Sequence, residues 1–212
     1  MYGRVIAASF VIMTLGLMGL AMANYYAGYW YKGYEWSAPW GGYCDIYTID
    51  PSVPQWTFMC QYFMLILDYD PPNWISIGYD QEGGGDPNYY FKEAYWSNGS
   101  WGPGLYEDGP CTGTWHNYMI VHAQEADMKK WKLYIDSESR GYFLVYPYEP
   151  KDWQAFVETN GTSINIGGSH YEHLHYYTGR SWSDWDDHLE GEDYPYEVQE
   201  VDDTEFTACG GG

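Results

Sequence analysis

Apolar and polar positions alternate along most of this chain, and Gly, Pro and Asn cut the pattern into short pieces. Trp131, Leu133 and Ile135 alternate with Lys132, Tyr134 and Asp136, the period of a strand with one buried face. The run 56–67 (WTFMCQYFMLIL) is apolar on both alternating sets and long enough for a central strand buried on both sides. Further strands are predicted at 73–79, 89–96, 116–123, 141–146, 153–159, 162–166 and 170–177, with a last edge segment at 196–209. The pieces recur every 10–15 residues, and none beyond residue 23 carries a helical period. The pattern predicts an all-β chain, a jelly-roll-type antiparallel β-sandwich over residues 43–209.

The start of the chain is different. Residues 1–23 carry one positive charge, Arg4, then an apolar stretch from Val5 to Ala23 that ends Ala21-Met22-Ala23 before Asn24. This order fits a secretory signal peptide cut after Ala23. About 19 apolar residues also suffice for a retained membrane anchor, the one membrane contact the sequence offers. A pilin-type leader cut near Arg4 is a third reading. Between the leader and the sandwich lies a Tyr/Trp/Gly-rich arm, residues 24–42, holding Tyr29, Trp30, Tyr31, Tyr34 and Trp36. Such an arm packs on its own domain or adds a strand to a neighbouring copy.

Charge narrows the partners. The 212 residues hold 30 Asp+Glu against 9 Lys+Arg, a net charge of −21, so no basic face exists for a nucleic acid. Aromatics at 21%, with 25 Tyr and 12 Trp, argue against disorder and for a large buried area. Four cysteines, Cys44, Cys60, Cys111 and Cys209, in an exported chain imply two disulfides with three connectivities open. Cys44–Cys60 with Cys111–Cys209 is preferred, because it closes one short loop and ties down the C-terminus. The sequons at Asn98 and Asn160 are candidate glycosylation sites of a secreted or cell-surface protein.

Residues 181–212 hold 11 acidic side chains and no Lys or Arg. A run of this kind is ordinarily a solvated face. Asp184, Asp186 and Asp187 are its candidate ligands for calcium, a hard cation that takes six to eight oxygens. His173 and His175 form an H-x-H pair, which on a strand presents two imidazoles on one face to a metal. The same alternation puts His170, Glu172 and Leu174 on the other face. No G-x-S-x-G elbow and no C-x-x-C occurs, so nucleophilic triads and zinc ribbons are unsupported. Glu93, within a predicted strand, and Glu158, at the end of another, are the candidate acid/base carboxylates. A carboxylate set among aromatic rings is driven toward its protonated form, which suits acid/base work.

The order Trp74-Ile75-Ser76-Ile77-Gly78, Tyr90-Phe91-Lys92-Glu93, His116-Asn117-Tyr118, Trp131 to Asp136 and Val157-Glu158 resembles secreted concanavalin-like sandwiches. More narrowly, it is similar to the neprosin/glutamic-peptidase β-sandwich. The resemblance implies two acidic or amide side chains on a concave sheet that activate water and stabilise the tetrahedral intermediate, with Glu93 and Glu158 matching best by position. Two functions follow from the sequence. The first is a non-catalytic extracellular sandwich that binds glycans or envelope material, or assembles with copies of itself through the aromatic arm. The alternative is an acid-active glutamic-type peptidase that uses the Glu pair.

Overall fold

The structure, a computed structural model, describes residues 24–32, 40–69, 72–95, 105–123, 130–144 and 151–212. All of their regular structure is strand: β1 Tyr25–Lys32, β2 Gly41–Tyr47, β3 Phe58–Tyr69, β4 Pro72–Glu82, β5 Asn88–Tyr95, β6 Leu105–Asp108, β7 Trp115–His122, β8 Lys130–Ile135, β9 Glu138–Leu144, β10 Asp152–Thr159, β11 Ser169–Tyr177, β12 Trp182–Asp184, β13 Leu189–Glu192, β14 Tyr196–Asp202 and β15 Glu205–Gly210. They form two antiparallel sheets, in the orders β13-β1-β10-β3-β4-β5-β6 and β14-β15-β11-β2-β7-β8-β9, with β12 beside β11. The chain is an all-β antiparallel sandwich, as its period-two pattern requires.

The core lies between the sheets. Tyr29, Phe63, Leu65, Ile75, Ile77, Trp153 and Val157 of the first sheet meet Cys44, Ile46, Tyr118, Ile120, Leu133, Tyr171 and Phe206 of the second. The alternation at β8 holds, with Trp131, Leu133 and Ile135 buried. Residues 162–166 form no strand, although Ile164 and Ile166 are buried in the core. The first sheet has a second apolar layer on its far side, made of Tyr26, Phe58, Cys60, Tyr62, Met64, Ile66, Trp74 and Phe156.

One expected alternative is borne out here and one expectation needs correction. The aromatic segment packs on its own domain: its residues 25–32 are β1, paired with β10 from Tyr25↔Thr159 to Lys32↔Asp152 and with β13 on the other edge. Tyr29 and Tyr31 are core residues, and Trp30 packs on the outer apolar layer. Gly28 explains the fit, because a Cβ there would meet Phe156 Cβ at 2.5 Å. Tyr34 and Trp36, like residues 1–23 and Asn98, lie outside the described residues.

The cysteines form no bridge: all four are free thiols. Cys44 points into the inter-sheet core, whereas Cys60 belongs to the layer on the opposite side of the first sheet, so the backbone of that sheet separates them. We expect the exposed Cys111 and the half-buried Cys209 to react with a thiol reagent in the native protein, and Cys44 and Cys60 only after unfolding. Mass spectrometry of labelled protein reads this directly. Fewer than four labels in denaturant without reductant would establish a disulfide instead.

Candidate active site

β10 has every residue buried, which a strand of a half-solvated sheet does not do. Trp153, Ala155 and Val157 face the core. The outward set is Asp152, Gln154, Phe156 and Glu158, and its three polar members are 7%, 5% and 4% exposed. Polar groups withdrawn from water this far need partners or a function.

Glu158 pairs across to Cys60 of β3, and Cys60 to Asp80 of β4. The three form one lateral row on the outer face, flanked by Tyr26 of β1 beside Glu158. Cys60 is 1% exposed and Asp80 4%. Asn24, immediately before β1, donates from Nδ2 to Glu158 Oε1 at 2.7 Å. The Cys60 thiol lies 3.6 Å from the Glu158 carbonyl oxygen and 3.9 Å from Oε2. Burial, then the neighbouring Glu158 and Asp80 charges, push the Cys60 thiol well above its ordinary range, so sulfur stays protonated and is no nucleophile. The result is two carboxylates astride a neutral thiol, with a side-chain amide on one of them.

The next row along the strands is aromatic. Phe156 and Tyr62 pack edge to face at 5.9 Å between Gly28 and Gly78 of the flanking strands. A Cβ on Gly78 would lie 2.9 Å from the Tyr62 ring, so glycine is what lets that ring lie across the sheet. Further along, Gln154 Oε1 is buried and accepts no hydrogen bond.

Asp193, following β13, accepts a hydrogen bond from the Tyr26 backbone N–H, yet burial outweighs it and raises the Asp193 carboxyl above its ordinary range. The fold therefore favours the protonated acid. That contribution is present below the ordinary Asp range and lost as pH rises through the raised folded value. Asp193→Asn should melt above wild type at neutral pH, with the gap closing in acid. A thermal melt series from pH 3 to 8 measures it, and a gap independent of pH would refute the assignment.

The structure brings some of the sequence-derived candidates together and not others. Glu93 pairs with Ile75, whereas the row of Glu158 passes through Asp80 and Asn88, so the register sets Glu93 five residues away from that row. Asp80, a residue of β4, is the carboxylate that shares the row. A small or polar outward set on β4, Ser76, Gly78 and Asp80, is the signal that could have found it. The amides of Gln61 and Gln81 are structural: Gln61 accepts from Tyr79 in the core, and Gln81 holds Asp50 at 2.7 Å and the Gly85 carbonyl at 2.9 Å. Asn160 accepts from the Phe58 N–H at 2.7 Å.

On the outer face of the second sheet His173 and His175 lie beside different carboxylates. His173 Nδ1 is 2.8 Å from Asp45 and His175 Nδ1 is 2.7 Å from Asp184, with ring centroids 6.3 Å apart. A bulge between Glu172 and His175 changes the expected alternation: Leu174 enters the core and His173 joins His170 and Glu172 outside. Asp186 accepts from Tyr31 at 3.3 Å. Among the described residues, Asp184, Asp186 and Asp187 belong to no cluster of three ligating groups.

No protein-family model matches the chain, and no curated protein matches it in sequence. Its fold matches solved structures. Scytalido-glutamic peptidase, bound to a peptide-based transition-state analogue, superposes with a TM-score of 0.62 at 10% identity, covering 89% of this chain and 98% of that one. SCP-B, a member of the eqolisin family of peptidases, superposes in complex with the tripeptide Ala-Ile-His with a TM-score of 0.60 at 10% identity and the same coverage. The chain therefore has the glutamic-peptidase-like β-sandwich fold. This corrects the first functional expectation, a non-catalytic glycan-binding or self-assembling protein: the three structures that superpose with TM-scores of 0.60–0.62 over 98% of their own length are peptidases, and residues 25–32 of the arm form an internal strand of the chain's own sheet.

Proposed function

We propose that this protein is an exported, acid-active peptidase in which Glu158 is the catalytic carboxylate and Asp80, in place of Glu93, is the second acid. The observation that carries the reading is the buried row Glu158–Cys60–Asp80 with the Asn24 amide 2.7 Å from Glu158. The likeness in fold to glutamic peptidases supports it. Two strand spacings put the Glu158 and Asp80 backbones roughly 9.5 Å apart, with only the small Cys60 side chain between them.

In this scheme ionised Glu158 takes a proton from the water as it attacks the carbonyl carbon. Protonated Asp80 gives its proton to the developing oxyanion or to the departing amine. Asn24 fixes Oε1 of Glu158, so the base is oriented before substrate arrives. The tetrahedral intermediate forms against a dry aromatic floor, where fixed hydrogen bonds act more strongly than in water. Gln154, with its unpartnered carbonyl, is placed to accept an N–H of an extended peptide laid along β10. Incubating the protein with a pool of extended peptides from pH 2 to 8, with mass-spectrometric detection of fragments, tests the reading. Cleavage confined to acid pH is the expected result.

A further inference from the structure

The outer face of the second sheet carries a strip of imidazoles and carboxylates that the peptidase chemistry does not use. Asp45 of β2 and Glu172 of β11 are cross-strand partners. The bulge in β11 places two residues, His173 and Leu174, opposite one on β2, and His173 adopts a left-handed backbone with φ 54°. Leu174 thereby fills the core, and His173 turns out beside Glu172. A bulge that re-aims one side chain in this way is a recurrent device next to functional sites.

The three ligand atoms converge. His173 Nδ1 lies 2.8 Å from Asp45 Oδ2 and 3.8 Å from Glu172 Oε1, and the whole group falls within 4.8 Å. Bonds of about 2.0–2.1 Å around a tetrahedral ion put neighbouring ligand atoms roughly 3.3 Å apart, and the two measured distances bracket that value. Asn117 Nδ2 donates to the other oxygen of Asp45 at 2.6 Å, which leaves Oδ2 for the ion and fixes the carboxylate as an outer hydrogen bond does in metal sites. Glu172 also neighbours His170 and Glu205, themselves 2.8 Å apart. Two imidazoles among three carboxylates form a mixed nitrogen and oxygen donor set, suited to a borderline first-row ion rather than to calcium.

We propose that Asp45, Glu172 and His173 bind one divalent first-row transition ion of the zinc class, at a site separate from the peptidase row on the other sheet. The ion takes the place of the proton now shared between His173 and Asp45, and its two positive charges offset the two carboxylates. The test is a Co²⁺ titration of the untagged, metal-stripped protein, followed by visible absorption, with Zn²⁺ as competitor. One equivalent of Co²⁺ displaced by Zn²⁺ is expected. Glu172→Gln and His173→Asn, the latter because asparagine tolerates a left-handed backbone, should each weaken binding at least about tenfold. Circular dichroism of both variants shows whether the sheet is intact. His175→Ala should bind as wild type, since His175 lies outside the converging group of Asp45, Glu172 and His173. Failure of the wild type to bind Co²⁺ or Zn²⁺ at millimolar concentration overturns the proposal, as does wild-type affinity in a folded His173→Asn. So does a loss in His175→Ala equal to that in His173→Asn, which would return the site to the H-x-H pair.

Discussion

Replacing Glu158 by Gln is expected to lower kcat/KM for peptide cleavage in acid by about a thousandfold or more. General base catalysis contributes 10²–10⁴-fold, and loss of fixed charge stabilisation at the reacting centre adds to it. The substitution keeps shape and volume in a position that is 4% exposed, so the row on β10 stays packed. The new amide still offers an oxygen to Asn24 Nδ2, the donor 2.7 Å away in the wild type, but it cannot accept a proton from water. Glu93→Gln is the matched control. Five residues off the row by register, it should leave cleavage within a few-fold of wild type. Initial rates on one extended peptide at pH 3–5, with melting temperatures of both variants, measure the contrast. A Glu158→Gln variant within tenfold of wild type would sink the assignment, and so would a wild type silent from pH 2 to 8. A selective loss in Glu93→Gln would restore the pair that sequence alone favours.

That contrast also marks where the sequence stops being readable. Period-two alternation is local, and it places β8 and the doubly buried β3 correctly because each residue's environment follows from its neighbours in the chain. Which strand lies beside which is not local. Cys60 and Asp80 meet in the hairpin of the consecutive strands β3 and β4, but Glu158 joins them from β10, 98 residues beyond Cys60, so no spacing in the sequence reports the full row. The same limit governs the cysteines: a short loop between Cys44 and Cys60 looks closable until the two side chains prove to lie on opposite sides of a sheet. At His173 the failure is different in kind. One inserted residue shifts the alternation, and only the positive φ reveals which of the two bulge residues turns outward. The aromatic stretch at 25–32 lacks clean alternation because β1 is covered on both faces, with Tyr29 in the core and Trp30 on the outer layer.

The largest stability loss is expected at Trp153, for reasons that join the core to the site. Its ring is wholly buried and stacks on Phe63 of the neighbouring strand, centroids 4.9 Å apart and planes within 14°. It also fills the space over β2: a Cβ on Gly42 would come within 3.0 Å of the indole, so the two sheets close on this ring. Trp153→Ala removes the indole and leaves a cavity that strands held by ladder hydrogen bonds cannot collapse into. Large-to-small changes of this kind cost about 3–5 kcal/mol. An ordinary domain has a net stability of about 5–15 kcal/mol, so the variant should unfold at markedly lower denaturant. Trp153→Phe keeps the stack on Phe63 and should lose less than half as much. Because Gln154 and Glu158 leave the same strand on its other face, the Ala variant should lose acid cleavage together with fold at temperatures where wild type is intact, while Glu158→Gln loses cleavage alone. Urea titration followed by fluorescence, set beside cleavage rates, separates the two. Equal midpoints for Trp153→Ala and wild type would mean that this ring does not hold the sheets together.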